Sequence, residues 1–127
     1  MADAWNEHGA GDVDFVTYIP LHWMRFMERG YNQAELLAKE IGKNLGIKVI
    51  GTLRRTRFTG RQATLGKGDR LENLRGAFKA LQSERFEGRN ILLVDDVFTT
   101  GSTLAEATKT LIKAGTASVS VLTIARD

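Results

Sequence analysis

The chain has 127 residues, 43% of them hydrophobic, with one proline, no cysteine and a net charge of +3. That length points to one domain that buries roughly two-thirds of its unfolded surface, and the composition excludes disorder over most of the chain. The absence of cysteine excludes disulfides, thiol nucleophiles and thiolate metal sites. His8 and His22 are too few and too isolated for a zinc site. No apolar run approaches the roughly 20 residues that span a bilayer, and the opening MADAWNEHGAGDVD is polar and acidic rather than a signal peptide. The expected location is the cytoplasm, with no membrane partner.

Residues 1–13 read as a polar N-terminal tail and 14–127 as a single domain. Phe15 to Ile19 is an apolar-rich strand closed by Pro20. A helix follows from Tyr31, capped by Asn32 with Glu35 as the reciprocal partner of a capping box. Ala34, Leu37, Ala38, Ile41 and Leu45 share one face, and Gly46 is the natural stop. Ile47 to Ile50 reads as a second strand, completing a β-α-β unit. Residues 51–75 are polar, basic and glycine-containing, with a short helical stretch around Gly68 to Leu74; so long a segment without regular structure is usually functional. Ala77 to Leu81 is a short strand. Asn90 to Asp95 is the best strand, because Ile91-Leu92-Leu93-Val94 is apolar on both faces, as in a central parallel strand. A helix from Ser102 to about Ala114 places Leu104, Ala107, Thr108, Leu111 and Ile112 on one face, Gly115 ends it, and Val119 to Ile124 is the last strand. The alternation predicts an α/β fold: an open, mostly parallel twisted sheet flanked by helices.

The chemistry concentrates in ILLVDDVFTTGST, residues 91–103. Asp95 and Asp96 stand at the carboxyl end of the central strand, where open α/β sheets bind ligands. Adjacent strand residues point to opposite faces, but a turn after the strand lets both acids reach one ligand. Carboxylates accept strongly, and a ribose cis-diol offers two donors. Next come Thr99, Thr100, Gly101, Ser102 and Thr103, whose hydroxyls and free helix N–H groups can surround a phosphate monoester. An acid capping a turn beside a solvated one, followed by an ordinary Ser/Thr helix cap, is the competing explanation. No Lys follows the glycine, so this is not the GxxxxGK[ST] loop. Charge is uneven: Arg54, Arg55, Arg57, Arg61, Lys67, Arg70 and Arg75 face only Asp69 and Glu72 in that stretch, a balance suited to phosphate-rich partners.

The stretch VDDVFTTGST resembles the phosphoribosyl-pyrophosphate signature of type I phosphoribosyltransferases. With Arg29-Gly30-Tyr31-Asn32-Gln33-Ala34-Glu35-Leu36-Leu37-Ala38, and with Arg70, Asn73, Gly76, Ala77 and Phe78 in an R-x-x-N-x-x-G-A-F arrangement, residues 15–127 resemble the phosphoribosyltransferase domain of the competence protein F (ComF) family. The resemblance implies a Rossmann-like type I phosphoribosyltransferase fold and a homodimer. It implies that Asp95 and Asp96 bind the ribose hydroxyls, with Mg²⁺ held directly or through water, and that Thr99, Thr100, Gly101, Ser102 and Thr103 hold the 5′-phosphate. Pro20 to Arg25 would lie at the pyrophosphate, with Arg25 and Arg29 as contacts. By the resemblance the basic 54–67 segment corresponds to the superfamily's mobile loop over pyrophosphate; Arg55 and Arg61 are the expected contacts, although the resemblance does not assign them, and a flexible basic loop with no specific ligand is the competing explanation.

Thr99 stands where purine-salvage members often carry an acid, which argues against hypoxanthine or guanine as acceptor. The family's cysteine-bearing zinc segment and a base-recognising hood have no counterpart in the sequence. The resemblance therefore implies an enzyme that transfers the phosphoribosyl group of 5-phosphoribosyl 1-pyrophosphate to an unidentified nitrogen acceptor, releasing pyrophosphate, with a role in competence or DNA uptake. The alternatives are a non-catalytic phosphoribosyl-binding module or competence accessory, and a single-stranded nucleic-acid binder using residues 54–75. The last is the least favoured, because Phe58 is the sole aromatic there and stacking platforms need several. Trp23 and Asn32-Gln33 have packing and capping roles that suffice, and Glu106 and Lys109 read as a solvated helix face.

Overall fold

The computed structural model describes residues 13–21, 30–56, 76–98 and 102–126. The expected tail through residue 12, the helical stretch around Gly68 to Leu74 and the Trp23 position lie outside them. The elements are β1 (Phe15–Tyr18), α1 (Gln33–Leu45), β2 (Lys48–Val49), β3 (Leu53–Arg55), β4 (Phe78–Ala80), a 3-10 turn (Ser83–Arg85), β5 (Asn90–Phe98), α2 (Ser102–Lys113) and β6 (Ser118–Arg126). Four strands form one parallel sheet in the order β2-β1-β5-β6, and β3 and β4 form a separate antiparallel pair. The strand with the unbroken apolar run, β5, is interior, as a strand covered on both faces must be.

The pleat sorts β5 into two cores. Leu92 and Val94 join Val16, Ala38 and Ile41 under α1. Ile91 and Leu93 join Leu104, Ala107 and Leu111 of α2, and this second core also takes Leu53, Ala77, Phe78 and Phe86. The two helices thus lie on opposite faces, and the sheet changes direction of winding between β1 and β5.

Asn32 starts α1 as expected: its Oδ1 accepts from Ala34 N at 3.0 Å and Glu35 N at 3.4 Å. Its Nδ2 also donates to Ile19 O at 3.1 Å, tying the helix start to the end of β1. Glu35, assigned the return bond of a capping box, instead pairs with Lys39 one turn on at 3.2 Å. Gly46 ends the helix in the left-handed region, φ 70°. Gly42 lets α1 lie on β2, since a β-carbon there would sit 2.5 Å from Val49 Cγ2 and 2.7 Å from Ile47 O.

Three expectations need correction. Residues 51–56 are not structureless: Leu53, Arg54 and Arg55 pair with Ala80, Lys79 and Phe78, because buried Leu53 and Phe78 anchor the hairpin on the α2 core. Ile112 is 56% exposed rather than on the inner face; it lies about 100° round the helix from fully buried Leu111. And β5 does not stop at Asp95. It continues to Phe98, held by β6 in the register Val97↔Ala125 and Phe98↔Arg126. Among the described residues no helix is long and apolar enough to cross a membrane.

Candidate functional site at the β1–β5 switch point

A parallel sheet whose helices change face between two neighbouring strands leaves a crevice at their carboxyl ends. Here those strands are β1 and β5. The last β1 contacts are Tyr18 opposite Val94 and Ile19 N–H donating to Val94 O at 3.0 Å. Pro20, with no N–H and a fixed φ, then ends the ladder. Beyond that point β5 is paired on the β6 side, so the sheet ends in a step.

Asp95 is the first residue on the step. It is half-buried, in register with Thr123, and by alternation belongs to the α2 face with Ile91 and Leu93. Asp96 is the next backbone position of the same strand. The strand does not end and turn at the acids as expected, and extended backbone does not by itself direct neighbours to one ligand. Ser102 opens α2, and Thr103, half-buried, follows in its first turn. Thr99, Thr100, Gly101, Arg25, Arg29 and Arg61 lie outside the described residues.

Across the end of β1 is a cleft of about 320 Å³, lined by Tyr18, Pro20, Leu21, Asn32, Glu35, Leu53, Arg54 and Arg55. Three elements meet there: the end of β1, the first turn of α1, and β3. The Arg55 guanidinium carbon is 5.0 Å from the centroid of the Phe78 ring, a cation–π contact across the hairpin. Arg54 is exposed and stands opposite exposed Lys79; like charges so placed repel and suit an anionic neighbour. The Tyr18 phenol has its pKa raised, first by burial and then by the Glu35 carboxylate, so it is a neutral donor at physiological pH. Thr17 and Thr52 share a buried hydroxyl hydrogen bond of 2.8 Å that holds the approach to β3 against β1.

Of the residues expected at a ligand, Arg55 lines this cleft and Asp95 stands on the step. Tyr18, Glu35 and Arg54 were not singled out from the sequence as cleft residues. Tyr18 and Glu35 signal only by position, close before the strand-ending proline and in the first turn of a capped helix, and Arg54 by the basic charge of its stretch. Glu106 was read as solvated, yet its Oε2 accepts from Gly76 N at 3.3 Å. Among the described residues no three His, Cys, Asp or Glu side chains form a group able to hold a metal by themselves.

A crevice at a topological switch point, with an acid on the longer strand and arginines across the shorter one, defines an open, doubly wound α/β domain. Residues 28–127 match the model of the phosphoribosyl transferase domain, and the chain belongs to that family. It is 38% identical over 128 residues to competence protein F of Haemophilus influenzae, covering 99% of this chain and 56% of that protein. It is 36% identical over 114 residues to the DNA utilization protein YhgH of Escherichia coli K12, covering 89% and 49%. The chain thus spans about half the length of these relatives. A hypoxanthine phosphoribosyltransferase from Staphylococcus aureus superposes with a TM-score of 0.62 at 13% identity, over 99% of this chain and 59% of that one. The fold is the type I phosphoribosyltransferase fold.

Proposed function

We propose that this domain binds 5-phosphoribosyl 1-pyrophosphate at the β1–β5 step and transfers its phosphoribosyl group to a nitrogen acceptor, releasing pyrophosphate. The observation that carries this reading is the step itself: β5 outruns β1 and brings Asp95 out ahead of α2, while Arg54 and Arg55 line a cleft at the end of the shorter strand. A carboxylate suits a ribose diol, a helix N-terminus suits a phosphate monoester, and guanidinium groups suit pyrophosphate. Family membership supports the donor, and the names of the relatives support a role in competence or DNA utilization.

In the reaction, the bond from C1 of the ribose to the pyrophosphate oxygen breaks and a bond to the acceptor nitrogen forms, with loss of the acceptor's proton. Positive charge builds on the ring and negative charge on pyrophosphate, so the protein's work is positioning and charge stabilisation. Asp95 faces the ring side of that charge separation and Arg55 the leaving group. Carboxylate oxygens suit Mg²⁺; Asp95 and Asp96 would hold it, directly or through water, with ligand oxygens completing its shell. When bound, it would supply charge neutralisation of the pyrophosphate.

A non-catalytic phosphoribosyl-binding module is the second reading, favoured by relatives named for competence and DNA use rather than for a transferase. Phosphoribosyl pyrophosphate with Mg²⁺ should raise the melting temperature, a ligand at a hundred times its Kd adding about 2.7 kcal/mol. Asp95→Asn with Asp96→Asn should abolish the shift. No shift in the parent at millimolar ligand would sink both readings. Pyrophosphate release across a panel of nucleobases and amines separates them: turnover with any acceptor selects the enzyme, and binding without turnover selects the module.

A further inference from the structure

Glu106 lies one turn into α2 and reaches away from the helix to the base of the β3–β4 hairpin, where its Oε2 accepts from Gly76 N at 3.3 Å. Gly76 has φ +70°, a conformation that favours glycine, so the turn itself aims this N–H. The same turn is gripped from β3. Thr56 N–H donates to Ala77 O at 2.6 Å, and the Thr56 hydroxyl donates toward Gly76 O at 3.0 Å and Ala77 O at 3.1 Å. Beside Glu106, Leu104 and Ala107 share a core with Ala77 and Phe78. Phe78 in turn underlies the Arg55 guanidinium, and Arg55 lines the cleft. A continuous path of contacts therefore runs from α2 through Glu106, Gly76 and Phe78 to Arg55.

We infer that Glu106 is a positioning residue: its bond to Gly76 locks the hairpin base to α2 and so fixes Arg55 relative to the helix that opens behind the acids. The inference rests on the phosphoribosyl pyrophosphate reading above. In that reading the two ends of one ligand belong to two elements, the 5′-phosphate to the start of α2 and the pyrophosphate to the arginines of β3. Glu106 sets the spacing between them. The bond is solvent-exposed, so its effect is a matter of alignment rather than of folding.

Calorimetric titration of the full chain with pyrophosphate, ribose 5-phosphate and phosphoribosyl pyrophosphate, each with Mg²⁺, tests this. Glu106→Ala should weaken pyrophosphate and phosphoribosyl pyrophosphate roughly threefold to tenfold, the range of a single solvent-exposed hydrogen bond of ordinary net strength, and leave ribose 5-phosphate unchanged. Glu106→Gln keeps an acceptor oxygen and should restore parental affinity. In an Arg55→Ala background, Glu106→Ala should cause no further loss. Amide exchange without ligand should speed up at Gly76 in Glu106→Ala. Equal weakening of ribose 5-phosphate, failure of the Gln variant to restore binding, or unchanged pyrophosphate affinity would overturn the inference. A parent that binds none of the three removes the phosphoribosyl reading and the inference with it. Unchanged binding in Glu106→Ala beside a parent that binds removes the inference alone.

Discussion

Tyr18 stands where strand chemistry gives way to site chemistry. Its ring packs partly against the α1 core, while its hydroxyl is so close to the chain at Gly51 that a β-carbon there would lie 3.1 Å away. Burial, and then the Glu35 carboxylate, raise its pKa above the ordinary 10.0. The phenol is neutral when protonated, so the folded state holds that proton more tightly than the unfolded chain does. Its contribution to stability is thus full below pH about 10 and is lost as pH rises through the folded-state value. Melting temperatures measured from pH 8 to 11 should fall less steeply above pH 10 in Tyr18→Phe than in the parent. Parallel curves would mean that the phenol titrates alike in both states.

Asn32 joins two elements with one amide: its oxygen caps α1 and its nitrogen holds Ile19 at the end of β1. Asn32→Ser keeps an acceptor for the helix and loses the donor, whereas Asn32→Ala loses both. Urea unfolding should rank the parent above Ser and Ser above Ala, with the loss of the cap costing about 1 kcal/mol. A Ser variant as stable as the parent would show that the tie to β1 contributes nothing. The capped start of α1 was legible because capping is written within four consecutive residues. β1, β5, α2 and β6 were legible for a similar reason, since their apolar patterns repeat over short windows. β3 was not: it is three residues long, and its strand partner β4 lies beyond a long intervening segment. The continuation of β5 through Asp95, Asp96 and Val97 was hidden because two acids read as a strand's end; pairing with β6 is what carries the strand past them. The cleft was legible only as basic charge, since Tyr18, Glu35 and Arg54 are brought together by packing.

Two β-α-β units stand side by side in this fold, β1-α1-β2 and β5-α2-β6, and each can close sooner than the seam that joins them. β5 meets β6 within residues 90–126, through a helix long enough for the crossover. It meets β1 only when Phe15 reaches Ile91, across most of the chain. Contacts of such long sequence separation carry a larger loop-closure cost and form more slowly. The order of assembly is therefore built into the strand order: each unit can form on its own, and the β1–β5 seam closes last and completes the crevice. Pulse-labelled amide exchange during refolding should protect the β6 amides before the Ile19 amide that bridges β1 to β5. Protection of the Ile19 amide, which donates to Val94 O, as early as those of Val119 and Val121 would contradict this sequence of events. A crevice completed last leaves room for a folding partner: if the proposed phosphoribosyl pyrophosphate bridges the two units, refolding in its presence should speed the closing of the β1–β5 seam.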